Sequence, residues 1–114
     1  MSKSIAVDYD GTLTVGENTY PEVGNLNMEL INALKKLQLD GWTIILYTAR
    51  EDWKLDIALK GLRKVGFIPD LVNCNIPEQV KIWGDHRKIV ADYYVDDRMI
   101  SINDVIKLSN KEDL

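Results

Sequence analysis

Two pairs of carboxylates hold most of the chemistry this chain can offer. Asp8 and Asp10 flank Tyr9 directly after the apolar run Ile5-Ala6-Val7, and Gly11-Thr12 follow. Residues two apart on a strand point the same way, so both acids begin on one face. Gly11 allows the backbone to turn at that point. Like charges held so close need a cation or a shared proton to coexist. The second pair, Asp96-Asp97, ends another aromatic and apolar run, Tyr93-Tyr94-Val95. Between the pairs, Thr43-Ile44-Ile45-Leu46-Tyr47 is a β-branched run that delivers a hydroxyl, Thr48.

The elements that must position these groups alternate along the chain. Strands are expected at about Ser4 to Asp8, Thr43 to Thr48, Leu71 to Cys74 and Asp92 to Asp97. Leu13 to Pro21 reads as a short hairpin or flap, with Gly16 and Asn18 as turn formers. One helix runs from about Asn27 to Leu39, with Leu30, Ile31, Leu34 and Leu37 at helical spacing, Asn27 as N-cap and Gly41 just past the end. A second runs from about Glu51 to Val65, with Leu55, Ala58, Leu59 and Leu62 on one face and Gly66 at its end. Pro77 suits the first position of a brief helix to Trp83, Gly84 to Val90 is open between helix and loop, and Asn103 to Leu108 reads as a terminal helix. This alternation predicts an α/β fold, a three-layer sandwich around a parallel sheet with right-handed crossovers. Strand C-termini in such a sheet share one edge, where ligands bind. Asp8, Asp10, Thr48, Asp96 and Asp97 would therefore converge.

With 114 residues the chain is expected to form one domain, residues 1–114. A net charge of −4 argues against non-specific nucleic-acid binding, which depends on exposed Lys and Arg. The single cysteine, Cys74, leaves no intramolecular disulfide, and it is expected as a small core residue. Three apolar residues before Asp8 are too few for a signal-peptide core, and no stretch reaches membrane-spanning length, so a cytoplasmic location and no membrane partner are expected. Trp42, Trp53 and Trp83 are expected to pack in or beside the core, and His86 to be exposed and incidental.

In order along the chain, Asp8-Tyr9-Asp10-Gly11-Thr12, a strand ending in Thr48, then Lys88, then Asp96-Asp97 resemble the four motifs of the haloacid dehalogenase-like (HAD) superfamily. The likeness spans Ile5 to about Asp104, and the tract from Arg87 to Arg98 looks like that of small members from bacteria and phages. The resemblance implies a Rossmann-like sheet and a Mg²⁺-dependent phosphomonoester hydrolase, a phosphatase. In that reading Asp8 attacks phosphorus and becomes a transient aspartyl phosphate. Asp10 protonates the leaving oxygen and then takes a proton from the attacking water. Mg²⁺ would be held by Asp8, Asp10 through its backbone carbonyl, and Asp96, with Asp97 binding the ion directly, through water, or holding Lys88. Thr48 donates to a phosphoryl oxygen, aided by neighbouring amides such as that of Ala49, with Gly11 and Thr12 also lining the substrate's place. Lys88 supplies the remaining positive charge, with Lys81 as its alternative, and Arg50 and Arg98 reach toward substrate anions. Superfamily members that displace halide lack an acid at the position of Asp10, so its presence points to phosphoryl transfer.

Only 37 residues separate Asp10 from Thr48 and 39 separate Thr48 from Lys88, which leaves no room for a substrate-selecting cap domain. An open pocket would admit bulky esters (phosphorylated sugars, nucleotides or polymer ends) or small ones enclosed by the second subunit of a homo-oligomer, with Glu17 to Tyr20 in the flap selecting among them. The alternative is a non-hydrolytic phosphate-binding or receiver-like regulatory module on the same fold. Receiver domains, however, place their phosphorylated Asp at the end of a middle strand, where this chain has Thr48.

Overall fold

The computed structural model describes residues 3–111. Its main sheet has four parallel strands, β1 (Ser4–Asp8), β4 (Thr43–Tyr47), β5 (Leu71–Val72) and β6 (Tyr93–Val95), in the order β5-β4-β1-β6. Between β1 and β4 lie a two-stranded antiparallel hairpin, β2 (Thr14–Val15) with β3 (Asn25–Leu26), and helix α1 (Met28–Leu39). Helices α2 (Asp52–Lys64), α3 (Pro77–Trp83) and α4 (Ile102–Ser109) follow β4, β5 and β6. The flap is longer than the sequence suggests, because its return strand, Asn25–Leu26, is two polar-flanked residues too short to read as a strand.

The chain steps from β1 to β4 to β5 in one direction, then jumps back over both to reach β6. With right-handed crossovers, that reversal sends α1 and α2 to one face of the sheet and α3 to the other. The result is a Rossmann-like three-layer α/β arrangement. The first face holds most of the core. Val7 pairs in register with Leu46 and Val95, and Ile5 with Ile44, so these side chains share a face. They pack with Ile31 and Leu34 of α1 and Ala58 and Leu62 of α2, all buried, together with Phe67. Each such aliphatic side chain contributes about 1.5–3 kcal/mol on burial. The opposite face is lined by the buried Ser4, Ala6 and Ile45 and carries Asp8 and Tyr47 toward the sheet's C-terminal edge.

The local signals explain most boundaries. Asn27 caps α1 by accepting from the Leu30 amide (3.2 Å), and Gly41 beyond it has φ +92°. Pro77 occupies the first turn of α3. The segment 84–91 is loop, pinned by the buried Asn75, which donates to the carbonyls of His86 and Lys88 and accepts from the Val90 amide. Helix α4 begins at Ile102, one residue before the expected Asn103, because Ser101 caps it by accepting from the Asp104 amide (3.1 Å). Three expectations of burial are corrected. Cys74 is exposed because it follows the short β5 into the connecting loop. Trp53 and Trp83 are also exposed, lying on outer helix faces, whereas Trp42 is half-buried against Tyr93 with ring centroids 5.9 Å apart. His86 is exposed, as expected. Among the described residues, no helix is long and apolar enough to cross a membrane.

Candidate functional site

The strand order turns back between β1 and β6, and the acids gather at the C-terminal ends of those two strands. Asp8 is the last residue of β1, and Asp96 follows β6 directly. Beyond Asp8 the chain makes an irregular turn over residues 9–13, with Gly11 at φ +86°. A Cβ at Gly11 would run into the Asp97 carboxylate, so the missing side chain makes space for that acid as well as for the turn. The buried Thr12 hydroxyl ties the two chain segments together. It donates to Asp8 Oδ2 (3.3 Å) and accepts from the Asp97 amide (2.9 Å). Asp96 accepts from the Tyr47 hydroxyl (2.9 Å) and from the Arg98 amide (2.9 Å).

As a result, Asp8, Asp96 and Asp97 each present a carboxylate oxygen within 4.8 Å of the others. Burial, and secondarily the Asp96 charge, raises the Asp8 pKa from 3.8 to about 6. Asp96 moves the other way, lowered first by the Arg98 amide. Tyr47 is raised by burial and by its bond to Asp96, so it stays a neutral donor. An all-oxygen, acid-rich set of this kind fits a hard divalent cation such as Mg²⁺. Asp10 places no carboxylate in the set.

Its carboxylate instead meets Arg50. The Arg50 Nε and Nη2 donate to Asp10 Oδ2 and Oδ1, both at 2.8 Å, a bidentate pair. Arg50 is only 1% exposed. Its other donors go to backbone carbonyls: Nη1 to Pro21 (2.8 Å) and Lys54 (3.0 Å), Nη2 also to Glu22 (3.1 Å). The guanidinium carbon lies 5.1 Å from the ring centroids of both Tyr9 and Tyr20. The expectation that Arg50 reaches substrate anions is therefore corrected, since all five of its N–H groups are engaged inside the protein.

Thr48 stands just past β4 and is held by a residue the sequence reading missed. The Asn73 side chain accepts from the Thr48 amide (2.8 Å) and donates to its carbonyl (2.9 Å), while Thr48 Oγ1 accepts from the Arg50 amide (3.1 Å). Asn73 sits at φ +53°, a left-handed conformation that asparagine tolerates. An Asn placed right after a strand that ends at the same edge was the available signal.

These groups line one cleft of about 360 Å³. Asp8, Asp10, Gly11, Thr48, Ala49, Asp96, Asp97 and Arg98 form its floor and wall, and Gly16, Glu17, Asn18 and Thr19 of the flap form its rim. The lining has no aromatic side chain, and Arg98 is its only cation among the described residues. Thr12 lies behind this surface, and its hydroxyl is spent on Asp8 and Asp97. Lys88 lies elsewhere. Its Nζ sits 5.9 Å from the Tyr94 ring centroid, beside a separate apolar depression with Tyr47, Ile89 and Met99. The exposed loop that carries Lys88 has no strand to aim it. Lys81, exposed on α3, lines no part of the cleft either.

No family model matches the chain, and no curated protein matches it. Among solved structures, a conserved protein from Bacteroides thetaiotaomicron is 32% identical, with 99% of this chain and 94% of that one covered and a TM-score of 0.74. The chain belongs to that protein's family. At this identity and coverage, family membership extends through every element that builds the cleft, from β1 through the turn after β6.

Proposed function

We propose that the protein is a Mg²⁺-dependent phosphomonoester hydrolase of the HAD type, without a cap domain. The observation that carries this reading is the meeting of Asp8, Asp96 and Asp97 within 4.8 Å at the sheet's switch point. Three acids there, one with its pKa raised to about 6, call for a cation that a phosphate ester would share. When bound, Mg²⁺ would supply the positive charge that cancels repulsion between Asp8 and the phosphoryl oxygens.

Asp8, ionised, attacks phosphorus, and the bond from phosphorus to the ester oxygen breaks. Asp10, beside Asp8 in the cleft, passes a proton to the leaving oxygen. Water then attacks the phosphorus of the aspartyl phosphate, Asp10 takes its proton, and Asp8 and phosphate are released. Thr48 and the Ala49 amide orient the phosphoryl group, and Arg98 supplies the side-chain charge that the sequence assigned to Lys88 or Lys81. The substrate's remaining atoms would face the Glu17–Thr19 rim, whose polar side chains and lack of aromatic rings suit a polyhydroxylated ester such as a sugar phosphate better than a stacked nucleobase.

Release of phosphate from an aryl phosphate, with and without Mg²⁺, tests the reading. Activity that depends on Mg²⁺ and is lost in Asp8→Asn supports it. No activity over a broad panel of esters, or activity untouched by Asp8→Asn, overturns it.

A further inference from the structure

We propose that Glu17 is a specificity-determining residue that restricts the substrate to phosphate monoesters whose alcohol carries no second anion. This deepens the hydrolase reading above and rests on it. The flap leaves β2 through Gly16, whose φ of +86° turns the chain and brings Glu17 to the rim of the cleft. Residues 13–24 contain two acids, Glu17 and Glu22, and no Lys, Arg or His. Glu17 is exposed and has no ion-pair partner among the described residues. Beside it, the Asn18 side-chain oxygen accepts from the Tyr20 amide and the Thr19 hydroxyl donates to the Glu22 carbonyl. The Glu17 carboxylate is therefore the strongest acceptor the rim leaves for a ligand.

The floor of the cleft has no positive charge to spare. Arg98 and a bound Mg²⁺ together match the charge of Asp8, Asp96 and Asp97. Arg50 is turned away onto Asp10 and backbone carbonyls. Once the phosphoryl group is seated, a carboxylate or second phosphate on the same substrate finds no cation in the lining, and meets Glu17. A hydroxyl or an ammonium at that place donates to Glu17 instead. A cleft of about 360 Å³ keeps rim and floor within reach of one another, on the order of the ~8 Å over which charges act at physiological salt. Like charges about 7 Å apart near a protein surface repel enough to weaken binding by roughly 3- to 10-fold.

Two matched pairs of esters isolate this charge. Sorbitol 6-phosphate and 6-phosphogluconate differ only in a terminal hydroxymethyl against a carboxylate. Glucose 6-phosphate and glucosamine 6-phosphate differ only in a hydroxyl against an ammonium. Shape is nearly constant within each pair, and loss of fold or of active fraction cancels in each ratio.

The experiment measures kcat and KM at pH 7 in Mg²⁺ for the wild-type protein, Glu17→Gln and Glu17→Lys. An ester that is not turned over is measured by its inhibition constant against p-nitrophenyl phosphate. The wild-type protein should favour the sorbitol ester over 6-phosphogluconate by about 3- to 10-fold, chiefly through KM, and the gap should shrink as NaCl is raised. It should favour the glucosamine ester over the glucose ester in the same way. Glu17→Gln should remove most of both preferences, and Glu17→Lys should reverse them. A wild-type preference for 6-phosphogluconate, or ratios in Glu17→Lys equal to those of the wild type, would overturn the role of Glu17 and leave the hydrolase reading intact. A wild-type protein inert toward these esters, p-nitrophenyl phosphate and a wider panel would overturn the hydrolase reading and the proposal with it.

Discussion

Stability of the ion-free protein should fall as pH rises from about 4 to about 6, and Asp8 is the reason. Its pKa is 3.8 in the unfolded chain and about 6 in the folded one, through burial and the neighbouring Asp96 charge. The folded state then binds a proton more tightly than the unfolded state across that window, so stabilisation present below pH 4 is lost as pH passes 6. A separation of roughly two pH units corresponds to about 3 kcal/mol. Asp8 is partly exposed, and solvent screening reduces the expected loss to about 1–2 kcal/mol. Asp96 shifts downward, so its contribution changes below its ordinary value of 3.8 and does not offset the loss. The assay is urea unfolding in chelator at pH 4, 5, 6 and 7, compared with Asp8→Asn so that other titrating groups cancel. The difference between the two proteins should carry the pH slope, and saturating Mg²⁺ should flatten it. A wild-type curve parallel to that of Asp8→Asn, or one rising over pH 4 to 6, would refute the crowding of carboxylates on which the site is built.

Other expectations follow from single contacts. Gly11→Ala puts a methyl group into the Asp97 carboxylate at a positive φ, so it should cost at least about 1 kcal/mol and weaken Mg²⁺ binding, as read by calorimetry. Thr12→Val removes the bridge between Asp8 and the Asp97 amide and leaves that amide without its partner, costing about 1–3 kcal/mol in thermal or chemical unfolding. Asn73→Gly keeps the left-handed backbone accessible but releases Thr48, costing about 1–2 kcal/mol, and kcat on an aryl phosphate should fall with it. Arg98→Ala should lower phosphatase activity more than Lys88→Ala, because Arg98 alone of the two lines the cleft; the reverse order would return the charge role to Lys88.

Strand ends were readable from the sequence because β-branched and aromatic runs stop on polar residues, and a parallel sheet leaves those stops on one edge. That logic places Asp8, Asp10, Thr48, Asp96 and Asp97 at one edge from the sequence alone, and all five line the cleft. It gave no way to aim long side chains. Arg50 looks like a cation two residues from a threonine expected to meet phosphate, yet it turns inward because Asp10, Tyr9, Tyr20 and three carbonyls offer it more partners than the cleft does. Lys88 rides on a loop whose course is set by Asn75, a buried residue 13 positions earlier, and local pattern does not encode that contact. Asn73 gives only the local signal of an Asn at a strand end, because its value lies in the backbone of Thr48, 25 residues away. Cys74, Trp53 and Trp83 were assigned to the interior by residue type, but the short β5 and the outer faces of α2 and α3 leave them in solvent.

Whether Asp8 takes up a phosphoryl group is the most direct test of the proposed hydrolase. The protein is mixed with acetyl phosphate, a generic phosphoryl donor, in Mg²⁺, quenched, reduced with borohydride and digested for mass spectrometry. Reduction of an aspartyl phosphate converts that aspartate to homoserine, and the conversion should map to Asp8, disappear without Mg²⁺, and be absent in Asp8→Asn. Homoserine at another acid, or at none while phosphate is still released, would contradict the account.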